Sequence, residues 1–311
     1  MYLQEILKTL LPPQILALLR RHRRRLRKAR VASHPKLTEN VFRTILTDDL
    51  GLTEGDTLFI HSSIDQLNLG FPFKRILPMI QEIAGQRGTL LFPTYPRLAS
   101  FEFLSREEVF DVRKTPSYTG ILSEIARRER NALRSLHPTK SVCAIGQRAG
   151  ELVSTHTHSV YPFDKCSPYY KVMKYGGKAV GIGVSTNFLS FVHSVEDALQ
   201  PEFPVQVYGE RLFSARCINY NGEEEIVRTY AHNIRNVNDH DSPRFMKRYI
   251  DEGICKDLTI HGMKFFRADT KKLFDLMIEL AKVGITIYPK SSYRRSSVER
   301  YNGKTKISGG A

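Results

Sequence analysis

A histidine and a glutamate that could act together lie in the stretch Leu189–Leu199, which reads L-S-F-V-H-S-V-E-D-A-L. They are His193 and Glu196, three residues apart in a segment whose pattern predicts a helix. That spacing places the imidazole and the carboxylate on one helical face, one turn apart. Such a pair could supply a general base, although ordinary surface and capping pairs have the same spacing.

Two more groups of polar residues flank predicted strands. His61, Ser62 and Ser63 follow one strand, and the stretch His137–Ser141 leads into another. Hydroxyls and backbone N–H groups at such places can hold a phosphate or an amide-rich ligand, and they also serve ordinary turns and caps. The helix with the histidine–glutamate pair follows a third strand. Because open α/β sheets bind ligands beyond strand ends, this shared position favours a functional site.

The elements that must position these residues alternate between strands and helices as far as residue 199. Strands are predicted at 56–60, 88–92, 141–145 and 179–184, and helices at 38–47, 74–84, 119–130 and 167–175. Such alternation predicts an α/β fold, with a central mixed sheet covered by helices on both faces.

The pattern changes after residue 199. Short strands at 203–208, 212–220 and 225–231, with a hairpin signal at Asn221-Gly222, precede helices at 243–252 and 270–283 and predict an α+β C-terminal part. We therefore expect a basic amphipathic helical extension at 1–36 and one domain at 37–288, flanked by the α+β part at 199–288. A flexible basic tail is expected at 289–311.

Composition indicates an ordinary globular chain. The 311 residues are 41% hydrophobic and 10% aromatic, and they contain no apolar run long enough to cross a membrane. The four cysteines are widely spaced and form no C-x-x-C motif, so neither a zinc site nor a disulfide framework is expected. We expect no metal, and a reducing cytoplasm fits best.

The net charge of +15 is concentrated at the two ends of the chain. Residues 1–40 carry +8 and residues 286–311 carry +5, which leaves +2 for the body between them. An apolar stripe followed by the polybasic run Arg20–Lys28 suits an anionic membrane surface, and equally a helix docked on the protein or on a sister subunit. Peripheral association of residues 1–30 with the inner membrane face, and an oligomer, thus stay open. No nucleic-acid partner is expected, because no aromatic residue interleaves the run.

Missing motifs argue against several reaction classes. The chain has no G-x-S-x-G elbow, no P-loop and no G-x-G-x-x-G that opens a helix. These absences disfavour an ordinary α/β-hydrolase, a P-loop NTPase and a dinucleotide-binding enzyme. The segment Gln147–Gly150 resembles part of the pyrophosphate loop of the commonest acetyltransferase superfamily, but the second glycine of that loop is missing.

Seven short motifs occur in order along the chain. They are Gly55–Ser63, Gly88–Thr94, Phe110–Ser117, Arg134–Val142, Ser167-Pro168, Gly177–Gly183 and His193–Glu196. Each is weak alone; together, the series resembles the aminoglycoside 3-N-acetyltransferase family over roughly residues 40–285. The resemblance implies transfer of an acetyl group from acetyl-CoA to an amine of an amino-sugar. It also implies an α/β fold distinct from that of the commonest acetyltransferase superfamily.

The resemblance places the catalytic histidine at His193 and its supporting carboxylate at Glu196, with Asp197 or Asp164 as substitutes for the carboxylate. A neutral imidazole can take the proton of the acceptor amine as its nitrogen attacks the thioester, and the carboxylate fixes the tautomer. The remaining candidates are His61, Ser62, Ser63 and Ser141 for CoA contacts, Ser62, Ser63 or Thr94 for the oxyanion, and Arg113, Lys140 or Lys178 for the CoA phosphates.

Two alternatives accompany this interpretation. Cys166 lies near Asp164, and a cysteine–histidine–aspartate set could run a ping-pong transfer, but the family has no catalytic cysteine at this position, which favours direct transfer. Residues 64–73 lack the glycine pair usual in the family, a departure that affects the local ligand geometry. The alternative function is a catalytically degenerate binding or membrane-associated scaffold. The acceptor stays open between an aminoglycoside and another amino-sugar, such as a glycan- or lipid-linked one at the cytoplasmic membrane face.

Overall fold

A seven-stranded mixed sheet forms the centre of the protein in a computed structural model that describes residues 12–237 and 239–289. The three central strands are parallel, and their outer neighbours pair antiparallel. The predicted α/β fold with a mixed sheet is confirmed. In order across the sheet the strands are β4 (Leu133–Arg134), β5 (Val142–Gly146), β2 (Thr89–Pro93), β1 (Thr57–Ser62), β6 (Lys178–Ile182), β10 (Met263–Asp269) and β9 (Cys255–Ile260).

Helices cover both faces of this sheet, as predicted. The helices are α1 (Pro13–Ala32), α2 (Glu39–Thr44), α3 (Ile76–Ala84), α4 (Ser100–Ser105), α5 (Ile121–Arg127), α6 (Ala149–Val153), α7 (Pro168–Lys171), α8 (His193–Ala198), α9 (Ile234–Val237), α10 (Ser242–Tyr249) and α11 (Thr270–Lys282). One apolar core joins the sheet to α2, α3 and α5. The core on the opposite face includes α6, α7, α8, α10 and α11.

The central strands bring the candidate site residues to one edge of the sheet. Every residue of β1 and β2 is buried, because both faces of the sheet are covered. Since β2, β1 and β6 run parallel, their carboxyl ends meet at the same edge. At Gly183, just after β6, φ is +75° and a Cβ atom would press against the backbone oxygen of Ser63. Only glycine therefore lets the ends of β6 and β1 approach so closely.

A second sheet contains β3 (Phe110–Asp111), β7 (Tyr208–Ile218) and β8 (Glu224–His232). The β7–β8 hairpin turns at Asn221-Gly222, as predicted. The predicted strand at 203–208 is wrong, because residues 203–207 form no regular strand and β7 begins only at Tyr208. Pro204 has no backbone N–H to offer a strand partner, and its apolar neighbours Phe203 and Val205 are buried in the core without a ladder.

The sequence does not predict the β9–β10 hairpin, which extends the central sheet by pairing β10 antiparallel to β6. Its turn is His261-Gly262, with φ values of +48° and +78°, the conformation of a two-residue type I′ turn. The C-terminal part thus has the predicted α+β content, and its last hairpin lies within the central sheet rather than beside it.

The basic extension is helical where the structure describes it. Helix α1 runs from Pro13 to Ala32, whereas residues 1–11 and the tail from 290 to 311 lie outside the described residues. The predicted cap at Thr38 is confirmed, since its hydroxyl accepts a hydrogen bond from the Val41 backbone N–H at 3.3 Å. Among the described residues, no helix is both long and apolar enough to cross a membrane.

Buried histidines are expected to make the stability depend on pH. Burial lowers the pKa of His61 to about 3 and that of His156 to about 4, and it holds those of His137 and His232 well below the usual value. The unfolded chain therefore binds protons that the folded protein does not, and stability falls as the pH drops from 6.5 towards 4. Thermal unfolding across this range measures the slope.

A pair of histidine variants separates burial from any other effect of acid. His156→Gln is expected to flatten the slope of the unfolding free energy by up to about 1.4 kcal/mol per pH unit. His158→Gln is the matched control, because that side chain is exposed. Equal slopes in the His156→Gln protein and the wild type would contradict this account.

Candidate active site

His193 and Glu196 form a hydrogen-bonded pair in the first turn of α8. The Nδ1 atom of His193 lies 2.9 Å from Oε1 of Glu196, so the two side chains share one helical face, as their spacing predicts. The glutamate side chain is 1% exposed and the histidine 14%. A bond at Nδ1 leaves Nε2 of the imidazole as the nitrogen able to accept a proton.

A tyrosine far along the chain holds the carboxylate from its other side. The hydroxyl of Tyr288 donates a hydrogen bond of 2.6 Å to the same Oε1 of Glu196. Burial and the neighbouring carboxylate raise the pKa of Tyr288 well above its ordinary value, so the phenol stays protonated and remains a donor. The second carboxylate oxygen, Oε2, is buried and has no hydrogen-bond partner among the described residues. Tyr288 therefore fixes the orientation of Glu196.

Aromatic rings surround His193. The ring centroid of Phe163 lies 5.1 Å away, that of His232 at 5.5 Å and that of His240 at 6.3 Å. Burial, with Lys140 and His193 nearby, holds the pKa of His232 well below its usual value, so this neighbour is neutral. Donor atoms of His193, Glu196 and His232 lie within 4.8 Å of one another and could hold a metal ion. The expectation of no metal stays a prediction.

A cavity of about 440 Å³, the strand-end cavity, opens beyond the ends of β1 and β2. His61, Ser62 and Ser63 line it together, as their shared position predicts. Nε2 of His61 accepts a hydrogen bond from the backbone N–H of Ser190 at 3.2 Å, and burial lowers the pKa of this imidazole to about 3, so it is neutral. The Ser62 hydroxyl has no partner among the described residues. The other lining residues are Pro93, Tyr95, Tyr118, Thr119, Gly120, Val184, Phe188 and Ser190.

Other predicted contacts lie away from this cavity. The Ser141 hydroxyl donates to the Thr94 carbonyl at 2.7 Å and accepts from Nε of the buried Arg134 at 3.0 Å, so Ser141 and Thr94 belong to an internal network. Arg113 is exposed, with its guanidinium over the ring of Tyr220. None of these residues lines the strand-end cavity, and their hydrogen bonds serve the local structure.

Two lysines that the sequence suggested for phosphate binding have other partners. Lys178 forms an ion pair of 2.8 Å with Asp56 at the opposite end of the parallel strands. The Lys140 ammonium lies 4.7 Å from the centre of the Tyr95 ring, beside the His193–Glu196 pair rather than in solvent. Burial lowers the pKa of Lys140 to about 8, although Glu196 partly opposes that shift. Lys140 is therefore a cation of the site interior.

The His193–Glu196 pair, which we call the dyad, is connected to two cavities through neighbouring residues. Ser190, three residues before His193, lines the strand-end cavity with Tyr95. Tyr288, the partner of Glu196, lines a second cavity of about 480 Å³ together with Asp239 and Asp241, which we call the Asp239 cavity. Neither member of the dyad is among the described residues that line these two cavities.

The sequence suggested Cys166 as a nucleophile, but its surroundings do not support that role. Burial and the charge of Asp164 raise the pKa of the thiol, whereas a nucleophilic cysteine needs a lowered one. We expect Cys166→Ala to keep kcat within about twofold of the wild type, because no reacting group is lost. Loss of acetyl transfer, or an acetylated thiol in mass spectra, would contradict this.

Sequence reasoning missed Tyr288 and His232. Tyr288 reaches Glu196 across 92 residues, and it lies at the predicted boundary of the flexible tail. His232 ends β8 in the second sheet, and its ring centroid lies 5.5 Å from that of His193 in helix α8. Local spacing carries no signal for either contact, since both are created by tertiary structure.

A protein-family model matches the larger part of this chain. The model of the family described as aminoglycoside 3-N-acetyltransferase matches residues 59–282, most of the chain. The chain belongs to the aminoglycoside 3-N-acetyltransferase family. The predicted family and the acyltransferase class are therefore confirmed. The match includes both members of the dyad and excludes α1 and Tyr288.

Curated members of the acetyltransferase family are moderately similar to this chain. Aminoglycoside N(3)-acetyltransferase VII of Streptomyces paromomycinus is 28% identical over 200 residues, which cover 56% of this chain and 69% of that protein. Aminoglycoside N(3)-acetyltransferase IX of Micromonospora chalcea is 24% identical over 188 residues, covering 53% of this chain and 66% of that protein. The chain thus spans about two thirds of the length of these relatives.

Solved structures of the acetyltransferase family share the fold. Aminoglycoside acetyltransferase AAC(3)-Xa superposes with a TM-score of 0.68 at 19% identity, covering 86% of this chain and 99% of that one. AAC-IIIb in a binary complex with CoASH superposes with a TM-score of 0.67 at 17% identity, covering 81% of this chain and 98% of that one. AAC-VIa bound to sisomicin superposes with a TM-score of 0.65 at 20% identity, covering 79% of this chain and 97% of that one. These likenesses confirm the expected family fold.

Proposed function

We propose that this protein is an acetyl-CoA-dependent N-acetyltransferase that acts on an amino group of an aminoglycoside or another amino-sugar. The observation that carries the proposal is the His193–Glu196–Tyr288 array, which Tyr288 and the nearby Ser190 connect to two cavities. Its members are held by hydrogen bonds of 2.9 and 2.6 Å, although they come from distant parts of the chain. Such a preorganised imidazole and carboxylate are what proton transfer from an amine requires.

Direct transfer uses His193 as the general base. The acceptor nitrogen forms a bond to the acetyl carbonyl carbon and loses a proton to Nε2 of His193. The C–S bond then breaks, and the imidazolium returns the proton to the departing CoA thiolate. Glu196 holds the tautomer with a proton on Nδ1 and stabilises the imidazolium between these steps. Atoms and charge balance without a covalent enzyme intermediate.

The strand-end cavity suits the acetyl-bearing arm of CoA. Its lining mixes apolar and aromatic side chains with hydroxyls, which matches a chain of methylenes and amides. The unpartnered hydroxyl of Ser62 is a donor that could stabilise the oxyanion of the tetrahedral intermediate. His61 and Ser63 line the same cavity and remain candidate CoA contacts. The CoASH complex of the structural neighbour AAC-IIIb supports this choice of co-substrate.

The Asp239 cavity suits the amino-sugar. Asp239 and Asp241 offer carboxylates to an ammonium group, and the structural neighbour AAC-VIa binds the amino-sugar sisomicin. Arg244 and Arg248 line the same cavity, so its rim carries both signs of charge. That mixture favours an acceptor with an acidic group near its amine, and the acceptor panel should include amino-sugars of this kind.

Release of free CoA thiol tests the proposed function. Acetyl-CoA is incubated with the protein and each of a panel of aminoglycosides, simple amino-sugars and nucleotide-linked amino-sugars, and products are checked by mass spectrometry for one added acetyl group. Acceptor-dependent thiol release supports the proposal. No acetylated product with any member of the panel, from folded protein, would favour the alternative of a catalytically degenerate scaffold.

We also propose a cytoplasmic location with peripheral contact at an anionic membrane. Helix α1 leaves apolar side chains exposed beside its arginines, 42% of Ile15 and 64% of Leu18. Sedimentation with vesicles of anionic lipid should capture the wild type more than an Ile15→Asp/Leu18→Asp variant. Equal sedimentation of the two proteins would refute the membrane contact.

A further inference from the structure

A groove between α1 and the central sheet collects positive charge beside the proposed active site. This cavity of about 300 Å³, the α1 groove, lies where α1 approaches the end of β6 and the β9–β10 turn. Its basic lining residues come from both sides. Arg27 and Arg30 belong to α1, and Lys264 is the second residue of β10, just beyond the turn.

The α1 groove adjoins the strand-end cavity. Ser63, Val184 and Phe188 line both spaces. Side by side, the two cavities change from a mixed apolar and hydroxyl lining to a basic lining under α1. A ligand that fills both cavities would need an uncharged arm at one end and negative charge at the other.

The charges in the α1 groove are not equally free. Arg27 makes an ion pair of 2.5 Å with Asp65, which neutralises much of its charge. In the part of the chain that the structure describes, neither Arg30 nor Lys264 has a carboxylate within ion-pair distance. These two side chains are the available cations of the groove.

The end of α1 is fixed to the body, so the groove is built before any ligand enters. The Asn68 amide donates to the His34 carbonyl at 2.6 Å, and the Leu37 N–H donates to the Asn68 carbonyl at 2.8 Å. The Arg27–Asp65 pair ties the last turns of the helix to the same loop. The backbone that carries Arg30 is therefore positioned beside β10, whereas the exposed side chains of Arg30 and Lys264 can turn towards an anion.

We propose that Arg30 and Lys264 bind the phosphate groups of acetyl-CoA, with the acetyl-bearing arm running through the strand-end cavity to His193. This inference rests on the proposed function and assigns the nucleotide end of the co-substrate to α1, which precedes the family match at residues 59–282. Guanidinium and ammonium groups are the usual protein partners of phosphate oxygens. The extension is thus part of the co-substrate site.

Comparison of acetyl-CoA with S-acetylpantetheine, which has the same arm without the phosphorylated nucleotide, tests the assignment. In an Arg30→Glu/Lys264→Glu variant, KM for acetyl-CoA should rise at least about 100-fold, roughly tenfold for each lost charged contact. KM for S-acetylpantetheine and kcat should stay within about twofold, because that molecule carries no phosphate. An Arg25→Glu/Lys74→Glu variant has the same change in net charge at exposed sites outside the groove and should behave as the wild type.

A binding measurement keeps this test separate from the proposed function. Calorimetry with adenosine 3′,5′-bisphosphate should show binding to the wild type and the Arg25/Lys74 control, and loss in the groove variant. An Arg30→Gln/Lys264→Gln variant replaces the reversed charges if the first variant melts early. Turnover by the wild type with unchanged KM in the groove variants would overturn the phosphate assignment alone. Binding of the bisphosphate without turnover of any acceptor would instead overturn the proposed reaction.

Discussion

Replacement of His193 by alanine is expected to lower kcat for acetyl transfer by about 10²–10⁴-fold, the range typical for loss of a general base. The acceptor amine would keep its proton as the nitrogen approaches the thioester, because the other described rings around this position are Phe163 and the histidines His232 and His240. His232 is buried and does not replace the lost base, since its environment holds its pKa far below neutrality. Thiol release at saturating acetyl-CoA and acceptor measures kcat.

Two controls sharpen the His193 experiment. Added imidazole should restore part of the rate in the His193→Ala protein, because a small base can enter the space left by the ring. His158→Ala removes an exposed histidine elsewhere and should leave kcat unchanged. If His193→Ala retains more than about a tenth of the wild-type rate, the assignment of His193 as the base is wrong.

Glu196→Gln is expected to have the next largest effect, a fall in kcat of about 10²–10³-fold. Glutamine has nearly the same shape but no charge, so it neither stabilises the imidazolium nor enforces a proton on Nδ1 of His193. The KM for acetyl-CoA should change little, because Glu196 lines neither the strand-end cavity nor the α1 groove. The split between kcat and KM distinguishes a role in chemistry from a general loss of structure.

Variants of the neighbouring residues Tyr288 and Asp197 serve as comparisons for Glu196→Gln. Tyr288→Phe removes one hydrogen bond to the carboxylate and should lower kcat about tenfold, with no further loss when combined with Glu196→Gln. Asp197 accepts hydrogen bonds from the Phe163 N–H at 2.7 Å and the Tyr208 hydroxyl at 2.6 Å, so Asp197→Asn should mainly lower Tm. A larger loss of kcat in Asp197→Asn than in Glu196→Gln would transfer the orienting role to Asp197.

Local patterns predicted the parts of this protein that depend on neighbours in sequence. The strands β1, β2, β5 and β6 are apolar runs in the sequence. The three-residue spacing of His193 and Glu196 places both on one helical face. The β9–β10 hairpin escaped prediction, because its outer strand alternates buried and exposed residues too weakly. Its turn, His261-Gly262, lacks the usual asparagine or aspartate of a type I′ signal.

The candidate co-substrate contacts also differ in whether local sequence or tertiary structure brings them together. His61, Ser62 and Ser63 share a strand end, so the parallel sheet brings them to one cavity. Local patterns do not show that the Ser141 hydroxyl is bound to Thr94 and Arg134, because these partners lie 47 and 7 positions away in the chain. Arg30 follows the basic run Arg20–Lys28 with no motif of its own, and only the packing of α1 beside Lys264 distinguishes it from the other arginines.

The dependence of Glu196 on Tyr288 ties the chemistry to a residue beyond the matched domain. The family match ends at residue 282, so a protein that stops there lacks the phenol that holds the carboxylate. Its Glu196 would keep the hydrogen bond to His193 and lose the one on its other side. A proteolytic cut just before residue 288 would therefore lower the rate of proton transfer without touching the histidine itself.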